Sequence, residues 1–361
     1  MSKIKLLIVE DDTSLQENYK RIIQGIDRDP QKPSFEVDYK PDLKSSMGAL
    51  KSSDFDAAII DLKLAGENGN TDGIEIINEV KSKLRFPVFI VSAFIDLADD
   101  FTSPFIMAYK KADPDVETEE IFEKIIELYN TGITRILNHN GIVDEFLNKV
   151  FWDHLSGSLD YWLKSGLSGK QSEKILSRFI ISRLVEYLGI DETGKFEPFH
   201  PAEVLIKPVI KSNFHTGMII EKDGNRFIIL TPACDMIKRG ENRNAEVVLL
   251  AEIEPIPVED LSQVENIGKK AMDILKQSNK AYLYCLPPYS NFHGGIINFR
   301  KISTINVGDL NGSYLKLAEV IPLFFNEIKY KFVSYYSRIG QPEFDFEKVF
   351  DCLKKEFENR S

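Results

Sequence analysis

Four short apolar runs alternate with helix-like segments in the first third of the chain, and this alternation limits the folds open to it. The runs cover residues 4–9 (IKLLIV), 56–61 (DAAIID), 87–92 (PVFIVS) and 105–109 (FIMAY). Residues 14–26, 74–84 and 117–129 have the spacing of helices with one apolar face. Continuous apolar runs separated by helices predict a parallel sheet that is covered on both faces. In such folds the ligand site lies at the carboxyl ends of the strands.

Acidic residues stand at two of these predicted strand ends. Glu10, Asp11 and Asp12 follow the first run, and Asp61 closes the second. Converging carboxylates form an oxygen-rich pocket that suits a hard divalent cation such as Mg²⁺. A carboxylate beside that ion can attack a phosphoryl group, because the metal offsets the repulsion between two anions. Each acid taken alone has a purely structural alternative, since acids often cap helices.

Polar residues also end the other two runs. Ser92 closes the third run, where its hydroxyl group can hydrogen-bond a phosphoryl oxygen. Lys110 follows the fourth run, where its ammonium group can pair with a second oxygen. Acids, an aspartate, a serine and a lysine, each at its own strand end, form a set that favours phosphoryl chemistry.

In this order the residues resemble the receiver domain of two-component response regulators, over about residues 3–130. IKLLIVEDD is similar to the family's first strand with its acidic pair, and KKADP is similar to the family's lysine-containing segment. The resemblance implies an α/β domain with a doubly wound, five-stranded parallel sheet. It also implies that Asp61 accepts a phosphoryl group from a histidine kinase.

The same resemblance assigns the remaining site residues. Mg²⁺ would be held by Glu10, Asp11 and Asp61, with the backbone carbonyl of Lys63 at the family's main-chain ligand position. Ser92 matches the family's switch serine or threonine, and Lys110 matches the family's active-site lysine. Lys111 takes the place of Lys110 if the register shifts by one residue.

The sequence departs from the family pattern in several places. Ala65 stands where the family has a proline, the loop through GENGNTDG is longer than usual, and Met107 occupies the aromatic switch position. The interval from Ser92 to Lys110 is short by about one helical turn. We therefore expect the fourth helix of the domain to be remodelled. A pseudo-receiver that acts as a scaffold and never carries phosphate stays open as an alternative.

The rest of the chain differs from the first third in its predicted secondary structure. We predict a receiver in residues 1–130, a helical connector in 131–195 and a mixed output domain in 196–361. Short strand-like runs and a Lys-Asp-Gly-Asn turn predict an α+β output domain with a small β-barrel-like core and C-terminal helices.

Charge argues against a nucleic-acid-binding output. The chain carries a formal net charge of −11, of which the first 130 residues hold −10, from 16 basic and 26 acidic residues. The remainder is almost neutral and lacks the basic surface of a helix-turn-helix output. We therefore expect the output domain to bind an unknown protein effector, with no nucleic acid and no membrane as partners. A homodimer is an open alternative to a monomer.

The most distinctive string outside the first domain is HTGMIIEKDGNRFIILTPACDMI, residues 215–237. His215, Cys234 and Asp235 can form a nucleophile and base, which would make the protein a receiver-gated hydrolase or nuclease. The structural alternative, which we favour, is a small buried cysteine, a turn aspartate and a strand-end histidine. On this reading the protein is a phosphate-accepting regulator without a catalytic output.

This string and FVSYYSRIGQPEFDF, residues 332–346, resemble modules that accompany receiver-like domains in bacterial conflict systems. The resemblance implies a role in anti-phage defence of the Detocs type. Three cysteines without a CxxC pair fit a reducing compartment, and no apolar run approaches the roughly 20 residues that span a bilayer. We accordingly expect a cytoplasmic protein.

Overall fold

In the computed structural model the chain divides into two units, Met1–Phe196 and Glu197–Ser361. The structure describes residues 3–52, 54–64, 72–111, 118–137, 141–166, 169–191, 193–237, 245–256, 267–278, 280–340, 343 and 345–360. The finer division of the first unit at residue 130 stays a prediction.

The first unit begins with an alternation of strands and helices. Its elements are β1 (Lys3–Val9), α1 (Thr13–Ile26), β2 (Ser34–Lys40), α2 (Leu43–Ser52), β3 (Ala57–Ile60), α3 (Asp72–Lys83), β4 (Val88–Ser92), β5 (Ile106–Lys110) and α4 (Thr118–Asn130). The strands form one parallel sheet in the order β2-β1-β3-β4-β5. This is the flavodoxin-like doubly wound order, so the expected five-stranded parallel sheet is confirmed.

Apolar packing on both faces explains why the central strands are continuous apolar runs. Tyr19 of α1 and Phe122 of α4 pack with Ile8 and Phe89 on one face. Residues of α2 and α3 pack on the other face with Leu7, Val9 and Ile60. Side chains alternate along each strand, so a strand covered on both faces must be apolar at every position.

The connection from β4 to β5 contains only one 3₁₀ turn, Ile95–Ala98, among its described elements. The fourth helix, which we expected to be remodelled, is therefore replaced by this single turn. Phe94, Leu97 and Phe105 of this connection are exposed.

Helices follow the sheet within the first unit. They are α5 (Ile142–Lys149), a π-helical segment (Val150–Leu155), α6 (Leu159–Lys164) and α7 (Gly169–Leu188). Phe146 of α5 stacks on Tyr187 of α7 with ring centres 5.5 Å apart, and Trp162 meets Phe179 at 5.2 Å. Of the described residues in these four elements, only Val150 is buried.

The second unit is built on an antiparallel sheet. Its strands are β6 (Leu205–Ile206), β7 (Met218–Lys222), β8 (Asn225–Ile229), β9 (Val247–Glu254), β10 (Leu283–Leu286), β11 (Gly295–Asn306) and β12 (Leu315–Val320). Their order is β10-β11-β9-β8-β7-β12-β6, and every neighbouring pair is antiparallel. No ladder between described residues joins β6 to β10, so closure into a barrel-like core stays a prediction.

Helices complete this unit. They are α8 (Ala233–Met236), α9 (Ile267–Ser278), α10 (Val307–Leu310), α11 (Pro322–Tyr336) and α12 (Phe346–Glu358). The expected turn between β7 and β8 is present, and Asp223 and Gly224 have φ values of 50° and 79°. Positive φ at both central residues is the requirement of a two-residue type I′ hairpin, which Asp-Gly meets at little cost.

None of the described helices is long and apolar enough to cross a bilayer.

Candidate functional site

Two carboxylates meet where β1 and β3 end. Val9 and Ile60 lie opposite each other in the parallel ladder, so the next residues, Glu10 and Asp61, emerge side by side. The Asp61 amide donates to the Val9 carbonyl at 3.0 Å and continues this pairing. Glu10 is 1% and Asp61 6% exposed. Buried carboxylates at this edge need a compensating cation.

Lys111 supplies that positive charge. Its Nζ lies 2.8 Å from Oε2 of Glu10 and 2.6 Å from Oδ2 of Asp61. Burial acts to lower the pKa of Lys111, but hydrogen bonds to Asp61 and Glu10 outweigh it and hold this pKa above its usual value. Burial raises the pKa of Glu10, and the hydrogen bond from Lys111 opposes this without cancelling it.

The lysine at the pocket is thus Lys111, which corrects the first choice, Lys110. Lys110 is the last residue of β5, lies opposite Ser92 in the ladder and points to solvent. Successive side chains of a strand point to opposite faces, so one residue of register decides which lysine reaches the carboxylates.

Ser92 is fully buried at the end of β4. Its carbonyl accepts a hydrogen bond from the Lys111 amide at 3.0 Å, and its Oγ accepts one from the Phe94 amide at 3.3 Å. Ser92 is therefore joined through the backbone to the lysine that contacts both acids.

Asp11 completes an acidic cluster with Glu10 and Asp61. One oxygen from each of the three carboxylates lies within 4.8 Å of the others. Lys111 contacts two of these three carboxylates, Glu10 and Asp61. The donor set therefore fits a hard divalent cation such as Mg²⁺, which binds carboxylate oxygens.

Asp12 has a different role from its acidic neighbours. It is the N-cap of α1, and its Oδ1 accepts hydrogen bonds from the Ser14 amide at 2.8 Å and the Ser14 hydroxyl at 2.6 Å. These bonds hold its pKa below the usual range. The extra acid of the sequence is thus a helix cap.

Gly73 brings α3 close to the acidic pocket, and the sequence motifs do not reveal it. A Cβ at this position would lie 2.2 Å from the Asp61 carbonyl oxygen and 2.6 Å from the Leu62 Cα. Only glycine allows this approach of helix to strand end. In the sequence, the signal available for this close contact is a glycine at the end of a long loop.

Several predicted features lie outside the described residues. They are Ala65, residues 66–71 of the GENGNTDG loop, and Ala112, Asp113 and Pro114 of KKADP. The Lys63 amide, which is described, donates to Oδ1 of Asp61 at 3.2 Å.

The three output residues do not come together as one set, which the hydrolase alternative requires. His215 places Nδ1 3.1 Å from the Asn213 carbonyl and Nε2 2.7 Å from Oε1 of Glu319. Cys234 is exposed, so the expectation of a buried cysteine is wrong, and its Sγ lies 3.7 Å from Oδ1 of Asp235. Among the contacts of described residues, His215 has none with Cys234 or Asp235. The partner of His215 is Glu319, which the sequence motifs do not single out.

Comparison with known proteins gives similarity to receiver domains. No protein-family model and no curated protein matches the chain. Among solved structures, a CheY-like response regulator receiver domain from Methylobacillus flagellatus is 21% identical, covering 34% of this chain and 99% of its own, with a TM-score of 0.26.

Two further similar structures contain magnesium according to their descriptions. Response regulator TrrA from Thermotoga maritima, in complex with Mg²⁺-BeF, is 21% identical over 35% of this chain and 98% of its own, with a TM-score of 0.28. The receiver domain of a sensor histidine kinase from Pseudomonas aeruginosa, with magnesium in its active-site cleft, is 14% identical over 36% and 99%, with a TM-score of 0.28.

Proposed function

We propose that this protein is a response regulator whose Asp61 accepts a phosphoryl group from a histidine kinase. The observation that carries the proposal is the contact of Lys111 with both Glu10 and Asp61 at the strand ends of a doubly wound sheet. If the role of Lys111 were only to form a structural ion pair, one carboxylate would be enough. Here three carboxylates converge, and their oxygens form a donor set that suits a divalent cation.

Asp61 is the nucleophile in this proposal. One of its carboxylate oxygens forms a bond to phosphorus while the P–N bond to the kinase histidine breaks, and the imidazole leaves with the bonding electrons. The Lys111 ammonium group and the Lys63 amide already contact Asp61 and would donate to the phosphoryl oxygens. Bound Mg²⁺, held by Glu10, Asp11 and Asp61, would supply the remaining positive charge.

Phosphorylation would then act on the β4–β5 connection. The phosphoryl group adds about −1.5 to −2 charges beside Lys111 and Ser92. Because the Lys111 amide donates to the Ser92 carbonyl, a shift of Lys111 is passed to Ser92, the residue after which the segment connecting β4 to β5 begins. That exposed segment is the proposed signalling surface.

The output is proposed to act through protein contacts. Residues 131–361 carry a net charge of only −1, which disfavours DNA as a partner. Phosphorylation-dependent homodimerisation is proposed alongside, and beryllofluoride with Mg²⁺ should then increase the sedimentation coefficient. The cytoplasmic location and the anti-phage setting of the Detocs type stay predictions from the sequence.

The phosphorylation proposal is tested with acetyl phosphate. The full chain is incubated with acetyl phosphate and Mg²⁺, and its intact mass is measured. We expect one phosphoryl adduct on the wild type, none on Asp61→Asn, and an undiminished adduct on Asp99→Asn, a control at an exposed aspartate. A wild type without an adduct, or an adduct that persists in Asp61→Asn, would leave the pseudo-receiver as the better account.

Binding of a protein effector is tested by comparing the wild type with Asp61→Asn. A pull-down with the phosphorylated wild type should retain an effector that Asp61→Asn does not retain. Equal retention by both proteins would contradict phosphate-dependent signalling.

A further inference from the structure

The second unit contains a cavity that the phosphorylation site does not involve. Its volume is about 990 Å³, at the upper end of the range of small-molecule sites. It is formed by the segments before β7 and after β8, the end of β12 and α11. Its apolar walls include Phe214, Leu230, Met236, Val320, Phe325 and Phe332.

Residues 231–236 (TPACDM) of the distinctive string form part of this wall. Pro232, Ala233 and Met236 line the cavity. The hydroxyl of Thr231 accepts a hydrogen bond from the Leu249 amide at 2.7 Å and so ties this segment to β9. The distinctive string thus shapes a cavity.

Charged groups gather in the same lining. Glu319 is 3% exposed and contacts Lys211 and His215. Lys329 of α11 also lines the cavity. Among the described residues of the lining, Lys211 lies against Glu319, whereas Lys329 is exposed with its Nζ 5.4 Å from the centre of the Phe325 ring, where its charge is available to an anionic ligand.

The start of α11 adds to this positive potential. Pro322, the first residue of α11, lines the cavity, and the first turn of α11 contains no acidic residue. The N-cap residue is Ile321, whose side chain cannot accept a hydrogen bond from the free amides of that turn. The positive end of the helix dipole is therefore not neutralised by the cap.

We infer that this cavity binds a small amphipathic carboxylic acid. Its apolar chain would lie against the walls, and its carboxylate would lie near Lys329 and the start of α11. A single anionic group on an apolar body matches a largely apolar cavity in whose described lining Lys329 is the lysine not held by Glu319. This inference is independent of phosphorylation at Asp61.

The class of ligand is tested by calorimetric titration of the full chain with decanoate and with decanol. Decanoate should bind at least about tenfold more tightly, because a hydrogen bond to a charged group adds to the same chain burial. Lys329→Ala should remove this preference and leave decanol binding unchanged. Lys348→Ala, at an exposed lysine on α12, is the matched control and should behave as wild type.

The location is tested with ¹³C-methyl methionine. Decanoate should shift the Met236 methyl resonance and leave that of Met47, in the first unit, unchanged. Ala233→Trp, at an exposed position in the cavity wall, should abolish binding of both compounds. The inference is overturned if decanoate does not bind, if the acid and the alcohol bind equally, if Lys329→Ala equals the control, or if Met236 does not respond.

Discussion

The ammonium group of Lys63 lies 3.4 Å from the centre of the Phe94 ring. Lys63 stands two residues after Asp61, and Phe94 stands two residues after Ser92. Their amides also donate to these residues, Lys63 to Oδ1 of Asp61 and Phe94 to Oγ of Ser92. The contact therefore joins the loops after β3 and β4 beside the acidic pocket.

Phe94→Ala should shorten the lifetime of phosphorylated Asp61. A cation–π contact at an exposed site is worth about 0.5–1 kcal/mol, so its loss should increase loop opening and water access about two- to fivefold. The measurement is the decay of the phosphoryl adduct by intact mass after acetyl phosphate is removed. Leu97→Ala, at another exposed apolar residue of the same connection, is the control. Equal decay of the two variants would show that the contact does not protect the pocket.

Lys111→Ala should bind Mg²⁺ more tightly than the wild type, by at least about tenfold. Lys111 and a cation compete for the carboxylates of Glu10 and Asp61, and close charges near a protein surface interact by a few kcal/mol. Mg²⁺ titration by calorimetry measures this change. The neighbouring variant Lys110→Ala should retain wild-type affinity, because Lys110 faces solvent. A response of Lys110→Ala equal to that of Lys111→Ala would contradict the register described above.

Gly73→Ala should destabilise the first unit by about 1–3 kcal/mol, the usual cost of forcing atoms into a packed site. The added Cβ would lie 2.2 Å from the Asp61 carbonyl oxygen, so the backbone that holds Asp61 must move. Urea unfolding followed by tryptophan fluorescence is suitable, because Trp152 and Trp162 both belong to this unit.

Gly25→Ala provides the matched control for this prediction. Gly25 lies in α1 with open space around its Cβ position, so alanine should stabilise the helix slightly. Loss of stability in both variants would point to a general effect of glycine replacement.

Glu319→Gln should remove a pH-dependent part of the stability of the second unit. Burial acts to raise the pKa of Glu319, but hydrogen bonds from Lys211 and His215 outweigh it and place this pKa below its ordinary value of 4.5. A carboxyl group whose pKa is lowered on folding stabilises the folded state above its unfolded pKa. That contribution is lost as the pH falls through the folded pKa.

Differential scanning calorimetry of the full chain at pH 7 and below pH 4.5 measures this effect. The wild type should melt above Glu319→Gln at pH 7, and the difference should shrink below pH 4.5. A difference that is constant over this range would show that the carboxylate charge does not contribute.

The sequence predicted the sheet wherever strands are buried on both faces, because continuous apolar runs mark such strands. It did not locate β2, whose segment SFEVDYK alternates polar and apolar residues. β2 lies at the edge of the sheet, where one face stays partly open and an unbroken apolar run is not required.

The sequence predicts which residues belong to the candidate site, but it does not predict how their side chains are arranged. Strand-end positions identify Glu10, Asp61 and Ser92. The choice between Lys110 and Lys111 depends on which face of the sheet each side chain takes where β5 ends, and that is fixed by packing. The pairing of His215 with Glu319 joins residues about a hundred positions apart, so no local spacing indicates it.

The single turn between β4 and β5 has a consequence for how this protein can be recognised. A helix at this place could slide on the sheet as a rigid body, whereas a short peptide held between Ser92 at the end of β4 and Ile106 at the start of β5 can respond only by changing its own shape. The exposed rings of Phe94 and Phe105 lie on that same peptide. A partner would therefore detect phosphorylation of Asp61 as a change in the backbone conformation of this peptide, with no α-helix between the site and the partner.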